Sequence, residues 1–359
     1  MDYKRLGKYI REVNVRNKDL KVTNLLGLSV SKEFMPSIAN TIGTDMSTYK
    51  VVVRDQLVYI ADTSRRGDKI AIALLDKYDN ALVSSAYTVF EIIDKEQLLP
   101  KYLMMWFQRP EFDRYARYHS HGSAREVFDW DELCGVYLPM PNIDRQREIV
   151  EEYETLSRRI RLNKQIIEKL EATAQTLYRK MFVDGIDKEN LPEGWRIGTI
   201  GDLFELQRGF DLPSQERTEG VYPIYASTGI AEYHNDYKVE PPCVVTGRSG
   251  TIGEVFYVDK QCWPLNTTLW VKDFKNTPPF FVYNKLKELE LGKTVSGFAA
   301  VPTLNRNDVH IMESLIPPID LLDEFEKEMT VINHHQSIIE QENEKLSELQ
   351  SLLLVKMGQ

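Results

Sequence analysis

The sequence is poor in cysteine and contains no long apolar run. Its 359 residues include three cysteines, an odd number without a Cys-x-x-Cys pair, so neither a disulfide framework nor a zinc site is expected. No stretch of about 18 uncharged apolar residues is present, which argues against a membrane span. Residues 1–5 lack the apolar segment of a signal peptide. We therefore expect a soluble, cytoplasmic protein.

The composition favours several folded units with unevenly distributed charge. Hydrophobic residues make up 42% of the chain, enough for packed cores, and the length favours two or three domains. The net charge of −9 is not uniform: residues 1–143 contain 20 Lys or Arg and 19 Asp or Glu, whereas residues 320–359 contain 3 and 9. Binding to nucleic acid would therefore depend on local basic loops rather than on overall charge.

The chain repeats itself. Residues 128–183 align without a gap onto residues 304–359 and share twelve identities, among them Glu168-Lys169-Leu170 and its copy at 344–346. Such internal similarity is typical of a duplicated structural plan. Each copy is expected to consist of a β-rich module followed by a long helix.

The two long segments carry a heptad pattern. Apolar and amide residues recur at alternating spacings of four and three, which predicts a coiled coil. An antiparallel pairing places Asn163 opposite Asn343, where two buried amides would satisfy each other and fix the register. The alternative is two unrelated amphipathic helices, each on its own module. The seam residues are Ile149, Tyr153, Leu156, Ile160, Asn163, Ile167, Leu170, Ala174, Leu177 and Met181, and Phe325, Met329, Ile332, Gln336, Ile339, Asn343, Leu346, Gln350, Leu353 and Met357.

Short apolar runs separated by turns predict the strands of both modules. We expect the long helices to open near Pro141 and Pro317, with Asp144 and Asp320 as capping acids. The strands are predicted at 49–53, 57–60, 70–75, 86–92, 243–245, 254–258 and 267–271, and shorter helices at 100–107, 111–118 and 279–291.

The predicted fold class is α+β. Two β-rich globular modules in pseudo-twofold repeat are joined and spaced by two long antiparallel coiled-coil helices. The predicted domains are the first module (1–143), the central helix (144–183), the second module (184–319) and the C-terminal helix (320–359).

Local motifs add a family resemblance to this plan. The order of module, helix, module and helix resembles the specificity subunit of type I restriction–modification systems. The similar runs are Leu-Pro-Glu-Gly-Trp at 191–195, and those at 222–230, 245–253, 263–267 and, in the first module, 122–128, together with the Pro-Pro-Ile-Asp helix entry at 317–320.

The resemblance implies a DNA-binding subunit without catalytic residues. Each module, acting as a target recognition domain, would bind one half of a bipartite double-stranded DNA target, and two modification (methyltransferase) subunits would dock on the helices. Those subunits, not this chain, would bind S-adenosylmethionine, and restriction subunits would add cleavage. The alternatives are a coiled-coil scaffold whose modules bind protein, and a self-sufficient methyltransferase.

The residues themselves point to no reaction centre. The run 276–280 approaches the methyltransferase pattern of an amide, two prolines and an aromatic ring, but a Thr interrupts it. His119 and His121 lack further ligands at metal-binding spacing. We therefore predict no catalytic residue, bound cofactor or metal in this chain.

Basic and polar residues in loops are the candidates for DNA contact, because Arg, Lys, Asn, Ser and Thr contact base edges and phosphates. In the first module they are Arg65, Arg66, Lys69, Ser84, Ser85, Tyr87, Arg114, Arg117, His119, His121, Ser123 and Arg125. In the second they are Arg208, Arg248, Ser249, Thr251, Asn266, Thr267, Lys293, Ser296 and Phe298.

Overall fold

The computed structural model describes residues 2–37, 43–64, 67, 69–122, 125–294 and 303–358. The chain forms two compact units. The first comprises Met1–Asn163 and Gln341–Gln359, and the second comprises Lys164–Glu340. Each unit thus contains one β-rich module and a part of both long helices. No helix in the described ranges combines the length and apolar character that a membrane crossing requires.

The described part of the first module contains short strands and three α-helices. Its strands are β1 (Tyr3–Arg5), β2 (Ile10–Val13), β3 (Leu26–Leu28), β4 (Phe34–Pro36), β5 (Lys50–Val53), β6 (Leu57–Tyr59), β7 (Ile72–Leu74), β8 (Asn80–Val83), β9 (Thr88–Ile92) and β10 (Tyr137–Pro139). Its helices are α1 (Pro100–Gln108), α2 (Pro110–Tyr118) and α3 (Trp130–Gly135), after which the long helix α4 (Ile143–Phe182) begins.

An antiparallel four-stranded sheet, in the order β2-β9-β6-β7, organises the first unit. The pairs β3–β4, β5–β8 and β1–β10 surround it. The core joins Phe90 of β9 to Phe107 of α1, and it includes Ile149 of the first long helix and Met357, which directly follows the second long helix. The ends of those helices are therefore part of the first unit's hydrophobic core, which supplies most of the stability of such a unit.

The second module begins and ends with paired strands. Its strands are β11 (Arg196–Thr199), β12 (Glu205–Arg208), β13 (Tyr222–Ala226), β14 (Gly229–His234), β15 (Cys243–Gly247), β16 (Val255–Val258), β17 (Trp263–Pro264), β18 (Thr268–Asp273) and β19 (Glu313–Ile316). Its helices are α5 (Ile200–Leu203), α6 (Pro279–Glu288), α7 (Leu291–Thr294) and α8 (Arg306–His310), and the long helix α9 (Ile319–Lys356) follows.

The second unit contains an antiparallel sheet in the order β12-β18-β15-β16 and a smaller sheet in the order β14-β13-β17. β11 pairs with β19, so the two ends of the module lie together. Its core meets the long helices through aromatic contacts. The ring of Phe182 lies 4.9 Å from that of Phe281 and 5.2 Å from that of Phe325, in both cases edge to face.

The long helices contact each other in both units. In the first unit, the Asn163 amide donates to Oδ1 of Asn343 at 3.0 Å, and Gln350 donates to the Ser157 hydroxyl at 2.6 Å. The partner number falls as the residue number rises, which is the pattern of antiparallel helices. In the second unit, the rings of Tyr178 and Phe325 lie 5.8 Å apart.

Two local predictions were wrong. The side chain that caps α4 is Asn142, whose Oδ1 accepts the N–H of Arg145 at 2.9 Å, because Asp144 already lies within the first turn. The helix predicted over 279–291 ends at Glu288. Glu290 has a φ of +43°, a left-handed conformation that separates α6 from α7.

Candidate nucleic-acid interface

A cleft of about 760 Å³ opens on the second module beside β12 and α8. The cleft is lined by four cationic side chains and two carboxylates. The module as a whole, residues 184–319, has the opposite balance, with 13 Lys or Arg and 19 Asp or Glu. Positive charge is thus locally concentrated in an acidic module, which favours an anionic ligand. The cations are Arg208, Arg248, Lys272 and Arg306, and the carboxylates are Glu205 and Asp211.

One wall of the cleft depends on a close backbone approach at Gly209. The segment 208–211 lies against residues 264–268, and Phe210 donates its N–H to the carbonyl of Pro264 at 2.8 Å. A Cβ added at Gly209 would lie 2.2 Å from the carbonyl oxygen of Leu265, so only glycine fits. This contact fixes the position of the arginine that precedes it.

Arg248 follows β15, and its backbone is held from two sides. Its N–H donates to the carbonyl of Thr267 at 2.9 Å, and its carbonyl accepts the N–H of Leu304 at 2.8 Å. Its half-buried side chain points Nη1 toward the carbonyl of Asn266, at 3.5 Å. Among the described residues no carboxylate pairs with this guanidinium, so its charge is available to a ligand.

Arg306 begins α8 and is exposed at the opposite edge of the cleft. At the other end of this helix, Nε2 of His310 accepts the N–H of Leu206 at 2.8 Å. Burial, followed by the charge of Arg306, lowers the pKa of His310. The imidazole therefore stays neutral and keeps α8 attached to β12, which in turn positions Arg306.

Asp211 connects the sequence-predicted residues of this cleft. Its Oδ1 accepts from Arg208 Nη2 at 3.2 Å and from the side-chain amide of Asn266. On the other side of the cleft, Lys272 lies 3.4 Å from a carboxylate oxygen of Glu205. Arg208 and Lys272 are thus partly neutralised, in contrast to Arg248.

Two of the remaining second-module candidates, Ser249 and Thr251, lie in the turn that contains Arg248. The N–H of Ser249 donates to the carbonyl of Thr267 at 3.2 Å, and Thr251 is exposed in the same turn. Lys293 of α7 forms an ion pair at 2.7 Å with Glu290, the residue that precedes this helix. Two further candidates, Ser296 and Phe298, lie outside the described residues.

In the first module the structure brings two loops together. The N–H of Thr63 donates to the carbonyl of Glu126 at 2.9 Å, and its hydroxyl donates to that of Ser120 at 2.9 Å. The turn that begins at Asp62 therefore lies beside the turn 119–127, as Asp62 forms a bridge to Val127. The described part of the turn at Asp62 thus lies beside the segment that carries three of the sequence-predicted residues, His119, His121 and Arg125.

Carboxylates accompany the basic residues of these loops. Arg114 pairs with Glu111 at 3.2 Å and Arg117 pairs with Glu126. His119 and His121 contact the two carboxylate oxygens of Glu132, at 3.0 and 3.5 Å. The two histidines and Glu132 thus form a polar cluster beside α3. Among the described residues, no group of three or more side chains is placed to hold a metal ion.

The other first-module candidates are more dispersed. Lys69 and Arg125 are exposed on the two loops. Ser84, Ser85 and Tyr87 lie on the turn between β8 and β9, where the Tyr87 carbonyl accepts from Lys50 at 2.7 Å, and no described contact connects them to the loops. Arg65, Arg66 and Ser123 lie outside the described residues.

Sequence reasoning missed four charged members of the cleft, the cations Lys272 and Arg306 and the acids Glu205 and Asp211. Lys272 and Arg306 lie in a strand and at the start of a five-residue helix, and only the tertiary fold brings them to Arg248. Asp211 was omitted because an acid is not expected to attract DNA. Asp211 follows Arg208 by three residues in the sequence, and this spacing could have indicated a local ion pair between them.

The comparisons with known proteins agree with this architecture. The crystal structure of a type I restriction–modification system S subunit from M. genitalium matches 100% of this chain and 96% of its own with a TM-score of 0.63 at 15% identity. A chain from a study of complex assembly and conformational transition in a type I restriction–modification system matches 100% and 97% with a TM-score of 0.52 at 17% identity. The fold is therefore that of type I S subunits.

Sequence similarity supports the same assignment. Residues 192–350 match the family model of the type I restriction modification DNA specificity domain. The MjaIX specificity subunit, a type I restriction enzyme component from Methanocaldococcus jannaschii, is 24% identical over 272 residues. The match spans 65% of this chain and 62% of that relative. The family resemblance predicted from the sequence is confirmed.

Proposed function

We propose that this chain is the sequence-specific DNA-binding subunit of a type I restriction–modification complex. The observation that carries the proposal is the cationic cleft of an otherwise acidic module. Arginine in a concave, partly buried site suits both phosphate oxygens and the O6 and N7 acceptors of guanine. The chain itself carries no reaction, and S-adenosylmethionine is bound by a partner methyltransferase subunit.

A bipartite target follows from the proposed pseudo-twofold repeat. Both modules close with the same succession of short helix, short strand and long helix. α3 and α8 begin at residues 130 and 306, β10 and β19 at 137 and 313, and α4 and α9 at 143 and 319, all at one constant offset. Two copies of one plan with different loop residues suit two separate half-sites.

We propose that α4 and α9 form an antiparallel coiled coil that spaces the two modules. All twenty seam residues are buried or half-buried, and the neighbouring positions are largely exposed, as in the narrow seam of a coiled coil. The bidentate contact of Arg159 with Glu342, at 2.9 and 3.0 Å, adds a charged pair beside Asn163. These contacts support one fixed register.

The proposed docking site for a modification subunit is an apolar groove of about 600 Å³ between α4 and α9 in the first unit. Its acidic rim suits a partner helix with basic flanks. Leu352→Glu is expected to abolish co-purification of the modification subunit, whereas Leu162→Glu, a similarly exposed leucine outside the groove, should not. The groove is lined by Leu156, Leu349, Leu352 and Leu353, with Glu148, Glu151 and Glu152 at its rim.

Selection from a library of random duplexes tests the DNA-binding function. The full-length chain, with and without modification subunits, is expected to enrich two short sequence blocks separated by a constant gap. Enrichment of no motif in either form would contradict DNA recognition and favour a protein-binding scaffold. Enrichment of one contiguous block would contradict the bipartite arrangement.

A further inference from the structure

One carboxylate organises the polar side chains of the second-module cleft. Asp211 Oδ1 accepts from Arg208 and from the amide of Asn266, and the Asn266 carbonyl faces Nη1 of Arg248 at 3.5 Å. Three residues that the sequence marks as DNA contacts are thereby joined through a fourth that it does not mark.

The contact with Asp211 determines which way the Asn266 amide faces. An ionised carboxylate can only accept hydrogen bonds, so Nδ2 of Asn266 must point toward Asp211. The acceptor oxygen Oδ1 is then directed away from Asp211. A base edge would meet one defined donor and acceptor pattern instead of two interchangeable ones.

The backbone around this network is tightly held. Leu265 donates its N–H to the carbonyl of Tyr225 at 2.8 Å, and Thr268 donates its N–H to the carbonyl of Leu265 at 2.9 Å. The opposite segment is anchored because Gly209 donates its N–H to the carbonyl of Thr268 at 3.1 Å. Side chains that project from such a fixed frame are preorganised, and preorganisation favours discrimination between ligands.

A negative charge at this position opposes the binding of DNA in general. Asp211 is exposed and pairs with an exposed arginine, so the ion pair contributes little to folding. Its repulsion of phosphate acts on every sequence alike. The orientation that Asp211 gives to Asn266 and Arg208 acts only where base edges are contacted. That orientation therefore changes the discrimination between sequences, whereas the negative charge lowers the affinity for all of them.

We propose that Asp211 is a positioning residue for sequence readout, which orients Asn266 and Arg208 toward the base edges of DNA bound in the cleft. This inference rests on the proposed DNA-binding function. Asp211 itself contacts no DNA in this arrangement, and it sets the base preference of one half-site through its two neighbours.

The test compares Asp211→Ala with Glu205→Ala in the full-length chain. Both variants remove one carboxylate from the same cleft, but Glu205 pairs with Lys272 and does not contact Asn266. The probes are the duplex that the wild type enriches from the random library and a scrambled duplex of equal length. Asp211→Ala is expected to lower the ratio of the two affinities by about tenfold, the value of one oriented base contact.

Glu205→Ala should raise the affinity for both duplexes alike and leave their ratio unchanged. Asp211→Asn keeps an acceptor oxygen at the same place and should retain part of the discrimination between the two duplexes. This variant replaces Asp211→Ala if the alanine variant unfolds. Equal ratios for wild type and both Asp211 variants would overturn the inference while leaving the DNA-binding function intact. An equal loss of the affinity ratio in Glu205→Ala would also overturn the inference. A wild type that enriches no motif would overturn both the inference and the proposed DNA-binding function.

Discussion

The arginines of the two modules differ in their immediate surroundings. Arg117 of the first module pairs with Glu126, whereas Arg248 of the second has no carboxylate partner among the described residues. A paired arginine must release its partner before it binds a phosphate or a base, and that exchange offsets part of the gain. Arg248 is therefore the residue whose removal should weaken DNA binding most directly.

Replacing Arg248 tests this expectation. Arg248→Ala is expected to weaken binding to the selected duplex by about 1–3 kcal/mol, the cost of losing one good base or phosphate contact. A filter-binding titration measures the change. Arg196→Ala is the control, because Arg196 is exposed on β11 and does not line the cleft. An equal loss in both variants would contradict the assignment.

Glu326 makes the stability of the second unit depend on pH. Its carboxylate accepts the N–H of Phe280 at the start of α6, at 3.0 Å, yet burial raises the pKa of Glu326 to about 7. Between its ordinary value of 4.5 and about 7, the folded state therefore holds a proton that the unfolded chain releases. The free energy of unfolding consequently falls as the pH rises through this window.

Glu326→Gln should remove this dependence of the free energy of unfolding on pH. The neutral amide can still accept from Phe280, so the variant is expected to gain about 1–2 kcal/mol relative to the wild type at pH 8, after allowance for partial exposure, and little at pH 4.5. Urea unfolding monitored by hydrogen exchange of α6 amides at both pH values measures the difference. Glu324→Gln, an exposed change on the same helix, is the control; a matching gain there would contradict the role of burial.

At the scale of elements, the length of a pattern decided what could be predicted from the sequence. The heptad rhythm persists over ten seam positions in each long segment, and all of these positions except Met357 lie within α4 and α9. Strands β1 and β10 were missed, since each has three residues and its partner lies more than a hundred residues away. The same limit applied to the candidate site: Arg248 lies in a recognisable turn, whereas Arg306 becomes a neighbour only after folding.

The contact between Asn163 and Asn343 makes the helix register testable. A double variant Asn163→Cys and Asn343→Cys is expected to form an intramolecular disulfide on oxidation, because the two side chains meet at 3.0 Å. Non-reducing electrophoresis and peptide mass analysis detect the bridge. The pair Arg161→Cys and Asn343→Cys should not bridge, since Arg161 is on the exposed face of α4. Equal bridging in both pairs would contradict a fixed register.

At the scale of the whole molecule, positive charge is concentrated locally in a chain that is acidic overall. The net charge is −9, while the cleft of the second module holds four cationic side chains and two carboxylates. Such a distribution lowers the affinity for arbitrary sequences more than the affinity for a target whose base edges are also contacted. Under the proposed function, both modules are expected to contribute to recognition, because the second-module cleft alone supplies few phosphate contacts.

This division of labour predicts that the two modules make separable contributions. Arg248→Ala should relax base preference in one block of the selected motif only, and a first-module change, Arg117→Ala, should relax it in the other. Because contributions from independent sites add, the double variant should lose the sum of the two free energies within about 0.5 kcal/mol. Library selection locates the affected block, and titration of the three variants measures additivity. If both changes altered the same block, or if the first abolished the effect of the second, the modules would share one site and the bipartite arrangement would be wrong.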